Sequence, residues 1–592
     1  MKTTTLLQKI IQLKINEPSK MMDTSLLHKQ FIYCEIKHYD EDDVLKRMSV
    51  KNIKSLILNI QQALMDDIHY QKAKKSVIQK SHTKNNIFST ISYLIDTNDV
   101  FKKIESMIRE EKESLSNAIR FAVEVCDSAA DQLTYSKDDP LFPVLLMDQL
   151  DYIEERLNSH ARRFLFLEFS KSITREKIIV IPSFFKEMFY DFNTNIKGII
   201  YRKRSDEYSI THYSIHFQVP IFYSNVEFID REKIAITVNP LNVIKNPDKK
   251  TINLYRIQEN PSIMEETNVL IAVRNRYRFY ATISNPNDIT LVTNSPWYNG
   301  IIFYPEFVIA AKGSPLSVNE WEKHIDHLNR YCNGKMIVFR LPAFDSCITT
   351  EDFNGKYPTL ESLYDNQHYY ENYLRAIAKI MISSSARITI HVPRIIESTD
   401  IVHWEHHIDC MLKEYGYIKE FDKGYEFAFR ETIHNYKPFQ NSYHCIYNID
   451  YLATDFIIDF HLYYHHLSLQ RYKASHINAD VTFNHYFIRK HGQNHEQIIM
   501  GYTITNEKIF NQLYNSGCKC FGIHPKFILS LLPTLSEAIQ REGMFVGLFA
   551  KNLKRQLFYE NLRKELGPSA HIKPGTYQKM LQELENIKEE KK

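Results

Sequence analysis

Two histidines near the middle of the chain are the first residues whose type and surroundings could do chemistry. His212 and His216 lie in the segment Lys197–Tyr223, whose pattern indicates a buried strand, a charged loop, a short polar helix and a second strand. An imidazole near a helix start can meet a phosphate, because free N–H groups and the helix dipole favour an anion there. The simpler interpretation is a surface helix with two solvated histidines.

A second set of candidate residues follows apolar runs in the C-terminal half. Strand ends of this kind are where the chemistry of a barrel enzyme is found. An arginine there suits a carboxylate or a phosphate, and neighbouring carboxylates suit Mg²⁺. The simpler interpretation is that any barrel ends its strands with polar residues. The polar residues at these ends are Asn285, Glu306, Arg340, Arg394, Glu431, Asp459, His461, Tyr502 and His524.

The strands that would carry this second set are eight runs rich in branched and aromatic residues. Several are separated by segments with helical period, such as Val318–Tyr331. The count and the length of this region predict a (β/α)8 barrel. The eight runs are Arg278–Ser284, Gly300–Glu306, Lys335–Leu341, Ala386–Pro393, Tyr425–Glu431, Thr454–Phe460, Glu496–Thr503 and Lys519–Pro525.

The N-terminal half has a different pattern. Gln30–Lys37 alternates like a strand, and helical period then dominates from Glu41 to about Arg163. Strand signals return afterwards and stop before a polar, linker-like stretch that contains Asn246 and Pro247. This order predicts a helical insert within a small α/β domain. The returning strands are expected at Lys177–Pro182, Gly198–Tyr201, Pro220–Tyr223 and Ile234–Val238.

Composition excludes several classes of function. With 74 basic and 71 acidic residues, the net charge of +3 gives no electrostatic reason to expect nucleic acid or a membrane surface as partner. Eight cysteines occur without a CxxC pair, as expected for reduced thiols in a cytoplasmic protein. No run of about 18 apolar residues predicts a membrane span.

The segment around His212 resembles enzymes that use phosphoenolpyruvate with a swivelling phosphohistidine domain. Residues 210–215 (ITHYSI) resemble their T-S-H-x-A-I pattern, and residues 219–221 (VPI) resemble the following I-P-A. The match needs three residues deleted between His212 and Pro220. In the ungapped register Ser209 stands in place of the histidine.

Further short stretches extend this resemblance into the C-terminal half. Residues 281–288 (ATISNPND) resemble A-N-I-G-x-P-x-D, and residues 299–307 (NGIIFYPEF) resemble G-V-G-L-Y-R-T-E-F. Residues 373–377 (YLRAI) match an L-R-A-I helix, and residues 429–432 (FRET) resemble M-V-E-T. In this order of domains, the chain resembles Enzyme I of the bacterial phosphotransferase system, the phosphoenolpyruvate–protein phosphotransferase.

The resemblance implies an organisation of the chain. It places an N-terminal extension at 1–28, a swivelling α/β domain at 29–40 and 170–245, and a helical insert that docks a carrier at 41–169. A linker follows at 246–269, then a barrel that binds phosphoenolpyruvate at 270–570 and a charged helical tail at 571–592. It also implies a homodimer formed through the barrel.

The resemblance also implies a reaction and its residues. His212, or Ser209 in the ungapped register, would accept a phosphoryl group from phosphoenolpyruvate and pass it to a small histidine carrier protein. Arg340 and Asn285 would bind phosphoenolpyruvate. Glu431, with Asp459 or Asp455, would hold Mg²⁺.

The departures from the family pattern are expected to weaken this reaction. The glycines before the phosphohistidine are replaced by residues 204–207 (RSDE), and the arginine of Y-R-T-E-F is lost at Tyr304 or Pro305. No cysteine stands near Met500, where the family has one that protonates enolpyruvate. Removing one such charge commonly costs about a hundredfold in rate. The sequence therefore leaves two hypotheses, an Enzyme-I-like protein with weak or lost activity and a non-catalytic binding or regulatory module.

Overall fold

The computed structural model describes the chain in separate stretches. These are residues 30–78, 82–132, 142–203, 210, 213–214, 216–238, 242–250, 252, 277–293, 298–332, 334–343, 369–384, 387–395, 398–419, 421–427, 444–448, 497–500, 510 and 520–527. All of them belong to one of two compact units, the one formed by Met1–Pro261 and Tyr277–Ser530.

A six-stranded mixed sheet forms in the N-terminal half. Its strands pair in the order β4-β3-β2-β1-β5-β6, parallel from β4 to β1 and antiparallel from β1 to β6. The predicted strands are found, because their isoleucines and valines bury both faces of the central strands. The six strands are β1 (Gln30–His38), β2 (Lys177–Ser183), β3 (Ile196–Lys203), β4 (Ile221–Tyr223), β5 (Lys233–Val238) and β6 (Asn242–Lys245).

The described residues between β1 and β2 form six α-helices. Apolar side chains such as Leu64, Ile119 and Leu157 meet in one buried core. Three of the helix starts are capped by side chains, since Asp40 accepts from the Asp43 amide, Ser49 from the Asn52 amide and Ser114 from the Asn117 amide. The helices are α1 (Glu41–Arg47), α2 (Val50–Ile78), α3 (His82–Thr97), α4 (Val100–Ser106, continued by a π-helix, Met107–Glu111), α5 (Leu115–Ala130) and α6 (Phe142–Lys171).

Eight parallel strands of the C-terminal half pair in a closed ring, in the order β10-β11-β12-β13-β14-β7-β8-β9. They are β7 (Arg278–Ile283), β8 (Tyr298–Phe303), β9 (Met336–Arg340), β10 (Ile388–Ile395), β11 (Asp422–Phe427), β12 (His444–Asn448), β13 (Gln497–Met500) and β14 (Cys520–Ile523). The helices described in this half are α7 (Ile289–Thr293), α8 (Glu306–Lys312), α9 (Val318–Cys332), α10 (Glu371–Ser383) and α11 (Ser398–Glu414).

The protein is therefore a mixed α/β protein with two sheets that are largely parallel. The described residues do not show a helix after every strand of the ring, so the (β/α)8 architecture stays a prediction. None of the described helices has the length and apolar character needed to cross a membrane.

Two strands of the ring differ from their predicted positions. The fifth strand is Asp422–Phe427 rather than Tyr425–Glu431, and the sixth is His444–Asn448 rather than Thr454–Phe460. For each of these strands, the predicted and the observed range both contain aromatic or branched residues, so composition does not distinguish between them. Pairing with distant neighbours selects between them, and that information is non-local. The sixth position of the ring is therefore occupied by His444–Asn448, and residues 454–460 lie outside the described part of the chain.

Candidate functional site

Arg340 is the predicted substrate-binding residue that the structure places most clearly. It is the last residue of β9 and is completely buried inside the ring. Its Nε donates to Oε2 of Glu426 at 2.5 Å, and its Nη1 donates to Oε1 of Glu306, also at 2.5 Å. The guanidinium also lies over the ring of Tyr304, 4.6 Å from the centroid. Arg340 is thus held by two carboxylates and an aromatic face.

The two carboxylates reach Arg340 from different elements. Glu426 projects from β11, two strands away in the ring, and is fully buried. Glu306 is the first residue of α8, where the helix dipole favours a negative charge. Burial raises the pKa of Glu306, although the neighbouring Arg340 opposes that rise. Oε2 of Glu306 is buried and has no hydrogen-bond partner within the described residues.

A histidine lies beside this ion-pair cluster. His391 of β10 aligns with Arg340 on one side and with Gly424 of β11 on the other. A Cβ atom at position 424 would lie 2.1 Å from Nε2 of His391. Only glycine at position 424 leaves room for the imidazole of His391. The close approach of this side chain to the β11 backbone therefore depends on Gly424.

Asn285, the other residue predicted to bind the substrate, makes hydrogen bonds to other parts of the protein. Its Oδ1 accepts from the Asn287 amide and caps a 3₁₀ turn, and its Nδ2 donates to the Phe192 carbonyl at 3.1 Å. The Asn287 side chain donates to the same carbonyl at 3.2 Å. Both asparagines therefore join the end of β7 to the segment before β3 through hydrogen bonds.

The segment that follows His212 also packs on the ring. Described residues within 210–217 are helical, and the ring of His216 lies 3.8 Å from that of Phe307, centroid to centroid. Nδ1 of His216 lies 3.3 Å from the Ser284 hydroxyl at the end of β7. His216 is thus a buried packing residue rather than a solvated one.

Several predicted site residues lie outside the described part of the chain. They are the two candidate phosphoryl acceptors, His212 and Ser209, and the predicted Mg²⁺ ligands Glu431, Asp455 and Asp459. Among the described residues, no group of three or more His, Cys, Asp or Glu side chains could hold a metal ion. The described carboxylates Glu306 and Glu426 point at Arg340, so they do not by themselves fit Mg²⁺.

Sequence reasoning missed Glu426 as a site residue. The signal was present, since Glu426 is a lone carboxylate between Tyr425 and Phe427 in an otherwise apolar stretch. The predicted fifth strand, Tyr425–Glu431, ends at Glu431, so Glu431 was predicted as the site residue instead. The register of β11 against β10 brings Glu426 inward.

Comparisons with known proteins identify no family for the chain. No protein-family model matches it, and no curated protein matches it. Among solved structures, an NMR solution structure of an Enzyme I protein matches 39% of this chain and 94% of its own length, at 14% identity and a TM-score of 0.17. A likeness of that size carries no argument about activity, so the function must be argued from the side chains.

Proposed function

We propose that this protein is an Enzyme-I-like protein whose (β/α)8 barrel no longer uses phosphoenolpyruvate, and that it acts as a binding or regulatory module. The observation that carries the proposal is the pairing of Arg340 with Glu306 and Glu426. Phosphoenolpyruvate is a multiply charged anion, and a site for it needs an excess of positive charge. Here two carboxylates stand around one guanidinium.

The charge arrangement opposes an anionic ligand in two ways. Carboxylate oxygens already occupy the directions from which Nε and Nη1 of Arg340 would donate to a phosphate. Displacing either carboxylate would leave a buried charge without a partner, which commonly costs about 3–5 kcal/mol. The interactions of a ligand with the site would have to exceed that cost in free energy for the ligand to bind.

The packing of the α/β domain supports the same proposal. A swivelling domain must separate from the ring in each reaction cycle, yet Phe217 and Phe307 belong to one buried aromatic cluster. The hydrogen bond from Asn285 to Phe192 would also break. Breaking such contacts exposes apolar surface and buried polar groups, both of which are costly.

One observation favours the second candidate, a working phosphoenolpyruvate–protein phosphotransferase. The segment that contains His212 packs against the end of β7 through His216 and Ser284. In this candidate His212 accepts the phosphoryl group, and Glu431 with Asp455 or Asp459 holds Mg²⁺ outside the described residues. The helical insert, 41–169, would dock a small histidine carrier protein, and the barrel would form a homodimer in the cytoplasm.

Labelling with phosphoenolpyruvate separates the two candidates. The full-length protein is incubated with ³²P-labelled phosphoenolpyruvate and Mg²⁺, beside an active phosphotransferase as positive control, and acid-labile label is mapped. We expect no label above that of His212→Ala. Rapid labelling that His212→Ala abolishes would overturn the proposal and establish the enzyme.

A further inference from the structure

Helix α11 carries a histidine and a cysteine on its solvent face. Its inner face is apolar, since Trp404 and Ile408 are almost fully buried. His406 and Cys410 are exposed on the other side and stand four residues apart. Residues at this spacing lie one above the other on a helix, so their side chains can act on the same ligand.

The two side chains already have the separation of a chelating pair. Sγ of Cys410 lies 3.6 Å from Nε2 of His406. Zinc binds nitrogen at about 2.0–2.1 Å and sulfur at about 2.3 Å in tetrahedral geometry, which sets two such ligands about 3.6 Å apart. The distance between the two atoms therefore matches that between two corners of a zinc tetrahedron.

The two carboxylates next to the pair face the protein instead. Glu405 accepts from the Tyr425 hydroxyl at 2.6 Å, and Asp409 accepts from Lys423. Because these carboxylates are engaged with β11, they do not add ligands to the pair. The remaining corners would be filled by water, in agreement with the finding that the described residues hold no three-ligand metal group.

We propose that His406 and Cys410 form a surface chelate for a borderline or soft divalent cation of the zinc class. A thiolate and an imidazole select such metals over Mg²⁺ or Ca²⁺, which prefer oxygen. On binding, the cation takes the lone pair of Nε2 and the Sγ lone pair, and the thiol proton leaves to solvent. This site is independent of the function proposed for the barrel.

Cobalt titration tests the chelate, because a cobalt–thiolate bond gives a charge-transfer absorption that an imidazole or carboxylate does not. The reduced full-length protein is titrated with Co²⁺ alone and then with Zn²⁺ as competitor. We expect one equivalent of Co²⁺ to develop the band and Zn²⁺ to remove it. Cys410→Ser should abolish the band, and His406→Gln should weaken binding at least about tenfold.

The matched control is His69→Gln, which removes an exposed histidine from α2 and should leave the titration unchanged. A band of wild-type intensity in Cys410→Ser would overturn the proposal, because the thiolate would then belong to another cysteine. Co²⁺ affinity in His406→Gln equal to that of the wild type would overturn it as well.

Discussion

Nη1 of Arg340 lies 2.5 Å from Oε1 of Glu306 at a position where neither side chain reaches solvent. The pair joins the end of β9 to the start of α8, and Glu426 completes it from β11. Nε and Nη1 of Arg340 both donate to carboxylates, and through them the side chain joins three elements of the ring. We therefore expect Arg340 to contribute to the stability of the ring.

Replacing Arg340 by methionine should destabilise the protein strongly. The change keeps the volume and leaves two buried carboxylates without a cation, which commonly costs about 3–5 kcal/mol. Urea unfolding gives the free energy. The control is Arg387→Met, whose pair with Asp422 is half exposed and should be worth at most about 1 kcal/mol. Equal losses in the two variants would contradict the structural role.

Asn285 should behave as a structural residue and not as a substrate ligand. Asn285→Ala removes a turn cap and one of the donors to the Phe192 carbonyl, so we expect a loss of about 1–3 kcal/mol in unfolding free energy. Thr290→Ala, at an exposed position one turn later, should cost much less. Weaker phosphoenolpyruvate binding by Asn285→Ala at unchanged stability would instead restore the substrate role.

His160 should make stability depend on pH. It lies in the helical insert with Nε2 2.8 Å from Oδ2 of Asp67, which Arg156 also contacts at 2.7 Å. Burial lowers the pKa of His160 from its ordinary 6.5 to about 4. The unfolded chain therefore takes up the proton first. The contribution of neutral His160 to the free energy of unfolding is present above pH 6.5. It is lost as the pH falls towards 4, by up to about 3 kcal/mol.

The His160 contribution can be isolated by substitution. His160→Gln keeps an amide donor towards Asp67 but cannot titrate, so the fall in urea midpoint between pH 6.5 and 4 should become shallower. His69→Gln, which changes an exposed histidine, should keep the wild-type slope. The same slope in all three proteins would show that His160 is not the titrating group.

Most of the described helices and strands could be predicted from the amino-acid sequence alone. Periodicity located β1, the helices that follow it and the strands β2 to β5, because alternation and helical stripes are local properties of the chain. It also located most strands of the ring and marked Arg340 as a strand-end arginine. These features depend on neighbours a few residues away.

The contacts of the polar residues could not be predicted from the sequence, because they depend on how distant segments pack. Strand register places Glu426 against Arg340, and pairing with β11 and β13 makes His444–Asn448 the sixth strand of the ring. Asn285 donates a hydrogen bond to a distant segment, and His216 is buried where its segment packs on the ring. Such contacts join residues tens to hundreds of positions apart, and a local pattern carries no record of which carboxylate will meet which cation.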